Sequence, residues 1–281
     1  MYRWMTIATL ILRGICTLLF KFPFVSDEKK SKEIRKWAKS LLEILNVVIE
    51  IDGIRNLPLT PFLLVSNHIS WLDIHVLNAY KPISFVAKSE VAHWPIFGWM
   101  AQQLGTLFIR RGDSKHARIV VGEMVNTLKS RAVCIYPEGT STAGDKVLLF
   151  KPNLFEAAIQ AKVPVYPLAI EYFCKETGGR SYAPAFIGDM GLLESIGNIL
   201  KSRGLKVTLT FLPPIEPSIA APTDRKWLSQ HCFDCIFCMI FIIEWCIPKR
   251  HLCITNVLVQ GSFVLNDLGS HCSHITIHYF C

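Results

Sequence analysis

From residue 60 to 215 the chain alternates short apolar runs with longer stretches of helical spacing. The runs Phe62–Val65, Ile83–Ala87, Ala132–Tyr136, Val165–Ile170 and Val207–Phe211 are rich in Val, Ile and Phe. Each is too short for a helix and suits a buried strand. Ser114–Ser130 and Leu154–Ala161 repeat apolar residues three and four apart, as a helix with one buried face does. The alternation predicts an α/β fold, a layered sheet with covering helices, and no internal repeat is visible.

Two segments of different character flank this body. Trp4 to Phe20 is apolar except for Arg13 and a few small polar residues, and Lys29, Lys30, Lys32, Arg35, Lys36 and Lys39 follow. A spanning helix needs about 20 apolar residues, and a charge such as Arg13 at its middle is costly. The segment therefore spans with snorkelling or dips into one leaflet. The basic cluster would then lie on anionic headgroups, each charge contributing about 1 kcal/mol. A plain core helix fits the same pattern, whereas a cleaved signal peptide lacks a cleavage site before Lys21. A second helical stripe runs through Ile34, Trp37, Ala38, Leu41, Leu42, Leu45, Val48 and Ile49, with Asp52-Gly53 as its break. The expected division is a membrane-associating helical segment over 1–50, a main domain over 51–227 and an atypical tail over 228–281.

The tail is dense in cysteine and histidine. His231, Cys232, Cys235 and Cys238 have metal-ligand spacing, and His271, Cys272, His274, His278 and Cys281 form a second cluster. Their company is apolar, from Phe233 to Ile243, interrupted by Asp234 and Glu244. A membrane-adhering segment is the favoured reading, ahead of a metal site or an unstructured extension. No metal is expected for the main domain.

Composition narrows the classes. With 281 residues the chain holds one large domain, or one domain and an appendage, and 51% apolar residues exclude global disorder. A net charge of +8 favours anionic partners such as phospholipid surfaces and acidic carriers. No zinc-finger framework or RNP-type aromatic motif points to nucleic acid. Only Cys16, Cys134 and Cys174 precede residue 231, which suits a reduced intracellular body.

Candidate chemistry sits at Ser66-Asn67-His68-Ile69-Ser70-Trp71-Leu72-Asp73, where a predicted strand opens into a helix whose start is read at Asn67 and Ser70. At about 100° per residue, two positions five apart point roughly 140° away from each other within one helix. His68 and Asp73 meet only if His68 lies in the turn before the helix. Asp73 would then take the Nδ1 proton and leave Nε2 as a base.

Further blocks follow in order: Lys88-Ser89-Glu90, Pro95-Ile96-Phe97-Gly98-Trp99, Gly105 to Arg111, Tyr136-Pro137-Glu138-Gly139-Thr140-Ser141 and Val163-Pro164-Val165-Tyr166-Pro167. Together they resemble the glycerolipid acyltransferase family over roughly residues 60 to 215, and within it the bacterial lysophosphatidate acyltransferases. The resemblance implies a membrane enzyme that moves an acyl chain from a thioester to a lysolipid hydroxyl. It implies His68 and Asp73 as catalytic residues, and Arg111, Glu138, Gly139, Thr140 and Lys88 as substrate-binding ones. The donor would be an acyl-carrier-protein or coenzyme A thioester, with no further cofactor. The expected acceptor is 1-acyl-sn-glycerol-3-phosphate, handled at the cytoplasmic face of the inner membrane in phospholipid biosynthesis.

One departure stands out. Family members commonly have a second arginine where this chain has Ser141. Lys146 or Lys151 would have to replace it, or the acceptor is another lysolipid, for example a lyso-amino-acid lipid. Two other classes compete. Gly139-Thr140-Ser141-Thr142-Ala143 nearly spells a serine-esterase elbow, but that class places its histidine after the serine, and His68 precedes it. A non-catalytic lipid-binding protein would retain the shell without the chemistry, and the His68/Asp73 pair argues against it.

Overall fold

The structure is a computed structural model that describes residues 2–53, 57–58, 61–110, 112–217 and 224–242. Arg111 and the distal histidine and cysteine cluster of the tail lie outside the described residues. The chain through Ile240 forms one compact unit.

Two long helices come first, α1 (Tyr2–Phe20) and α2 (Asp27–Leu45). Ile7, Leu10, Gly14 and Leu18 line the buried face of α1. Tyr2, Trp4, Met5, Leu12, Leu19 and Phe20 are exposed. α1 with the short turn after it, Tyr2–Phe24, is long and apolar enough to cross a membrane. Its hold on α2 includes the Trp37 indole N–H, which donates to the Leu10 carbonyl at 2.9 Å.

The apolar stripe read from Ile34 to Ile49 is not one helix. α2 stops at Leu45, and Asn46 turns the chain with a left-handed φ of 58°. Val47–Gly53 is strand β1. The β-branched run Val47-Val48-Ile49 prefers a pleated surface, and asparagine tolerates the left-handed cap. The periodicity alone could not see this change of element.

The remaining strands are β2 (Leu63–Ser66), β3 (Ser84–Lys88), β4 (Leu107–Ile109), β5 (Val133–Ile135), β6 (Val165–Cys174) and β7 (Leu205–Phe211). They form one seven-stranded sheet in the order β1-β7-β6-β2-β5-β3-β4. Only the β6–β7 pair is antiparallel. The helices between strands are α3 (Leu72–Tyr80), α4 (Phe97–Gln103), α5 (Ser114–Thr127), α6 (Glu156–Ala161) and α7 (Leu192–Lys201), and α8 (Arg225–Phe237) follows the sheet. Central strands of a parallel sheet are covered on both faces, so their side chains need not alternate. Phe62, Leu63, Leu64, Val65, Val133 and Ile135 are accordingly all fully buried.

The described stretch of the tail, through Ile240, packs as ordinary core. Leu228, Cys232 and Ile236 of α8 are buried, and the Ser229 hydroxyl donates to the Phe150 carbonyl at 2.8 Å. Burial raises the Cys235 thiol to about 12. Among the described residues no cluster of His, Cys, Asp and Glu has a metal-holding arrangement.

Candidate active site

β2 is flanked by β5 and β6 at the centre of the sheet, and β5 runs parallel to it. Chains leaving β2 and β5 therefore emerge at the same sheet edge, where α/β folds gather their functional loops. This brings together blocks about 70 residues apart: Asn67 to Asp73 after β2, and Tyr136 to Ser141 after β5.

The turn after β2 is built from side chains. Asn67 reads as a helix cap in the sequence, yet it extends the ladder instead. Its amide accepts from Ile170 N at 2.8 Å and donates to Ile170 O at 2.9 Å. Ser70 does serve the start of α3, its hydroxyl accepting from Leu72 N at 3.2 Å. His68 lies in this turn, ahead of the helix, and the predicted pairing forms: Nδ1 sits 2.9 Å from Asp73 Oδ2.

Asp73 is fully buried, with four hydrogen-bond partners. Oδ2 also accepts from Ile69 N at 2.8 Å and Ser70 N at 3.0 Å, and Oδ1 accepts from the Tyr172 hydroxyl at 2.7 Å. Three neutral donors converge on it besides the imidazole, and together they fix the orientation of the carboxyl. With Asp73 accepting from Nδ1–H, Nε2 would be the bare nitrogen.

Three further contacts hold His68. Its ring stacks on Tyr136, centroids 4.1 Å apart and planes 19° apart. Its backbone N–H donates to Glu138 Oε1 at 2.7 Å, and its carbonyl accepts from Thr142 N at 2.9 Å. Glu138 Oε2 accepts from Leu148 N at 2.8 Å. Glu138 thus ties the His68 turn to the loop that follows, and burial raises its carboxyl to about 7. Both its oxygens are engaged by backbone, so in this structure it braces the His68 turn.

The other sequence candidates divide. Gly139, with φ +73°, lines the cavity in front of His68. A side chain there would start 2.9 Å from the Lys151 Nζ, so glycine lets that lysine reach over the loop. Lys88 lines the same cavity and has a partner of its own. Thr140 is exposed and does not line it. Ser141 does, but its hydroxyl donates to the Phe186 carbonyl. That contact occupies the hydroxyl the esterase reading needs as its nucleophile. Of the two substitute lysines, Lys151 lines the cavity and Lys146 does not.

The roles of Tyr172, Asn67 and Tyr136 are not legible in the sequence. Tyr172 lies 99 residues from Asp73, and nothing local distinguishes it from any strand tyrosine.

In front of His68 opens a cavity of about 540 Å³. It extends between α1, α2, α3 and α4, and is walled mostly by hydrocarbon such as Ile7, Ile11, Leu41, Ile74, Phe97 and Met100. The arrangement therefore joins a proton acceptor to a space shaped for an apolar chain.

Comparison with known proteins agrees. Residues 48–171 match the family described as Acyltransferase. A lyso-ornithine lipid O-acyltransferase of Pseudomonas aeruginosa is 38% identical over 208 residues, covering 74% of this chain and 78% of that protein. The chain belongs to the acyltransferase family. A 1-acyl-sn-glycerol-3-phosphate acyltransferase of Neisseria meningitidis is 32% identical over 188 residues, covering 66% of this chain and 72% of that protein. The crystal structure of the 1-acyl-sn-glycerophosphate acyltransferase PlsC of Thermotoga maritima shares the fold, with a TM-score of 0.66 at 23% identity over 88% of this chain and 95% of that one. The protein is an O-acyltransferase that acts on a lysolipid.

Proposed function

We propose that this acyltransferase transfers a fatty chain from an acyl-carrier-protein or coenzyme A thioester to the free hydroxyl of a lysolipid, using His68 as the base. One observation carries the reading: a carboxylate-oriented imidazole opens onto a chain-shaped apolar cavity. His68 Nε2 takes the hydroxyl proton while the oxygen attacks the thioester carbonyl carbon. The tetrahedral intermediate collapses, the C–S bond breaks, and the leaving thiolate takes the proton from the imidazolium. Ester and free thiol result, with no redox or metal step. Asp73 holds the tautomer and stabilises the imidazolium.

For the acceptor, a lysolipid with a single carboxylate, a lyso-amino-acid lipid, suits the site best. Ser141 supplies no charge where relatives commonly have arginine, and its hydroxyl is spent on Phe186. Lys151 is the exposed cation beside Gly139. The lyso-ornithine relatives agree with this choice. 1-Acyl-sn-glycerol-3-phosphate is the second reading. The Neisseria relative supports it, and so does the expected phosphate contact of Arg111. The exposed apolar residues of α1 and the lysines of α2 would seat the enzyme on an anionic bilayer, at the cytoplasmic face where thioester donors are made.

Thioester consumption with a panel of lysolipids tests both levels. Turnover with no acceptor ends the enzymatic reading. Lys151→Ala should raise KM for the preferred acceptor about tenfold, the contribution of one charge-assisted contact. An equal loss for neutral and anionic lysolipids would remove Lys151 from headgroup binding. Arg111→Ala should penalise the phosphorylated acceptor alone.

A further inference from the structure

One polar pair in the cavity wall is not used by the chemistry above. His75 and Asn78 are three residues apart on α3, so they share a face, and both line the cavity. The His75 ring lies between two indoles, 5.3 Å from Trp37 and 5.6 Å from Trp71, centroid to centroid. Both indole N–H groups are already committed, Trp37 to the Leu10 carbonyl and Trp71 to the Ser195 hydroxyl at 3.0 Å. Neither nitrogen of His75 has a hydrogen-bond partner among the described residues. Asn78 accepts a long 3.4 Å contact from Ile83 N, and its amide N–H₂ has no partner among them either.

Burial lowers His75 to about 4, so at neutral pH the ring is uncharged, with one N–H donor and one bare nitrogen. A plain hydrocarbon chain laid along this wall would cover those nitrogens and leave them unsatisfied, which is unfavourable. A hydroxyl can accept from the N–H or donate to the bare nitrogen, and the Asn78 amide can serve the oxygen's remaining lone pair.

We propose that His75 and Asn78 form a recognition site for a hydroxyl carried on a fatty chain inside the cavity. The proposal rests on the acyltransfer reading above and adds to it a chemical class of chain. The hydroxyl can arrive on the thioester's chain or on the chain already present in the lysolipid. His75 is a binding residue here, apart from the proton transfer at His68.

The test uses the full-length enzyme in detergent micelles. Thioesters of one length carry a single hydroxyl at successive carbons, beside the saturated chain. A matching series of lysolipids carries the hydroxyl in the acceptor's chain. A narrow window of positions, in one of the two series, should react with about tenfold higher kcat/KM than the positions on either side, as one hydrogen bond allows. The series that shows the window identifies the source. His75→Phe keeps a flat ring without nitrogens and should bring the window down to the level of its neighbours. Asn78→Leu should reduce it about threefold. Each ratio is taken within one preparation, so a partly folded variant does not disturb it, and the wild-type scan decides even if a variant fails to fold. A flat scan in the wild type, or a window that survives His75→Phe, overturns the site while leaving acyl transfer intact. Absence of transfer from every donor to every lysolipid overturns the acyltransfer reading and this site with it.

Discussion

The His68–Asp73 corner and the apolar cavity share a wall but are held by different forces. At the corner every shaping group is a directional polar contact. Asp73 accepts four donors, and Glu138 accepts two backbone N–H groups. His68 is fixed through its ring, its N–H and its carbonyl. The cavity is walled mostly by hydrocarbon, with His75 and Asn78 among its polar positions. Hydrogen bonds specify an orientation to a fraction of an ångström, as general-base chemistry needs. Packing specifies a volume, as a fatty chain needs. Substitutions in the two regions should therefore fail differently: at the corner in kcat, in the cavity in the choice of chain.

The largest effect is expected from His68→Ala, which removes the base. Turnover should fall about 10²–10⁴-fold, with KM nearly unchanged, in labelled acyl transfer to a lysolipid. Normal turnover would dissolve the distinction between the two regions. Asp73→Asn keeps the shape but offers the wrong partner to the imidazole, and should also cost about 10²–10⁴-fold in kcat.

Glu138→Gln is next. One of its two backbone contacts is replaced by a donor facing a donor, so the His68 turn loosens, and kcat should drop about tenfold. It also carries a pH signature. The folded Glu138 carboxyl lies at about 7, above its ordinary 4.5. The folded state therefore binds this proton more tightly, so its contribution to stability is full below about pH 4.5. That contribution is lost as pH rises through about 7. The change is on the order of 3 kcal/mol at most. Thermal unfolding followed from pH 4.5 to 8 should show a shallower decline in Glu138→Gln than in the wild type.

Tyr172→Phe removes the donor to Asp73 Oδ1 and should reduce kcat severalfold and stability by about 1–3 kcal/mol. In the cavity, Gly14→Ala should leave kcat/KM for short-chain donors within about twofold while disfavouring long ones. A Cβ at Gly14 would meet Trp37 Nε1 at 2.8 Å and Met100 Cε at 3.0 Å, narrowing the channel there. A fall in turnover for all chain lengths would mean that the two regions are coupled after all.

Much of the catalytic half was readable because its information is local. His68 and Asp73 lie within six residues, and helix geometry alone dictates that His68 must precede α3 to reach Asp73. The five apolar runs also stand as strands, because covered parallel strands announce themselves as continuous hydrophobic segments. The reading failed where one pattern served two structures. Val48 and Ile49 continue a helical stripe on paper and form β1 in the fold, since side-chain spacing does not record a left-handed Asn46. Asn67 fits a helix cap equally well until its partner, Ile170, is seen to lie 103 residues away.

The pairing of His68 with Asp73, the α/β class and the apolar N-terminal helix were determined by the sequence itself, because each depends on residues near one another along the chain. The strand order was a tertiary decision. It placed Glu138 under the His68 turn and Tyr172 against Asp73, and it freed Gly139 to let Lys151 cross. α1 and α2 also had to dock beside α3 before their apolar faces could enclose a chain. Those outcomes depend on which strands become neighbours, and that is set by the burial of the whole sheet, which no short window of sequence contains.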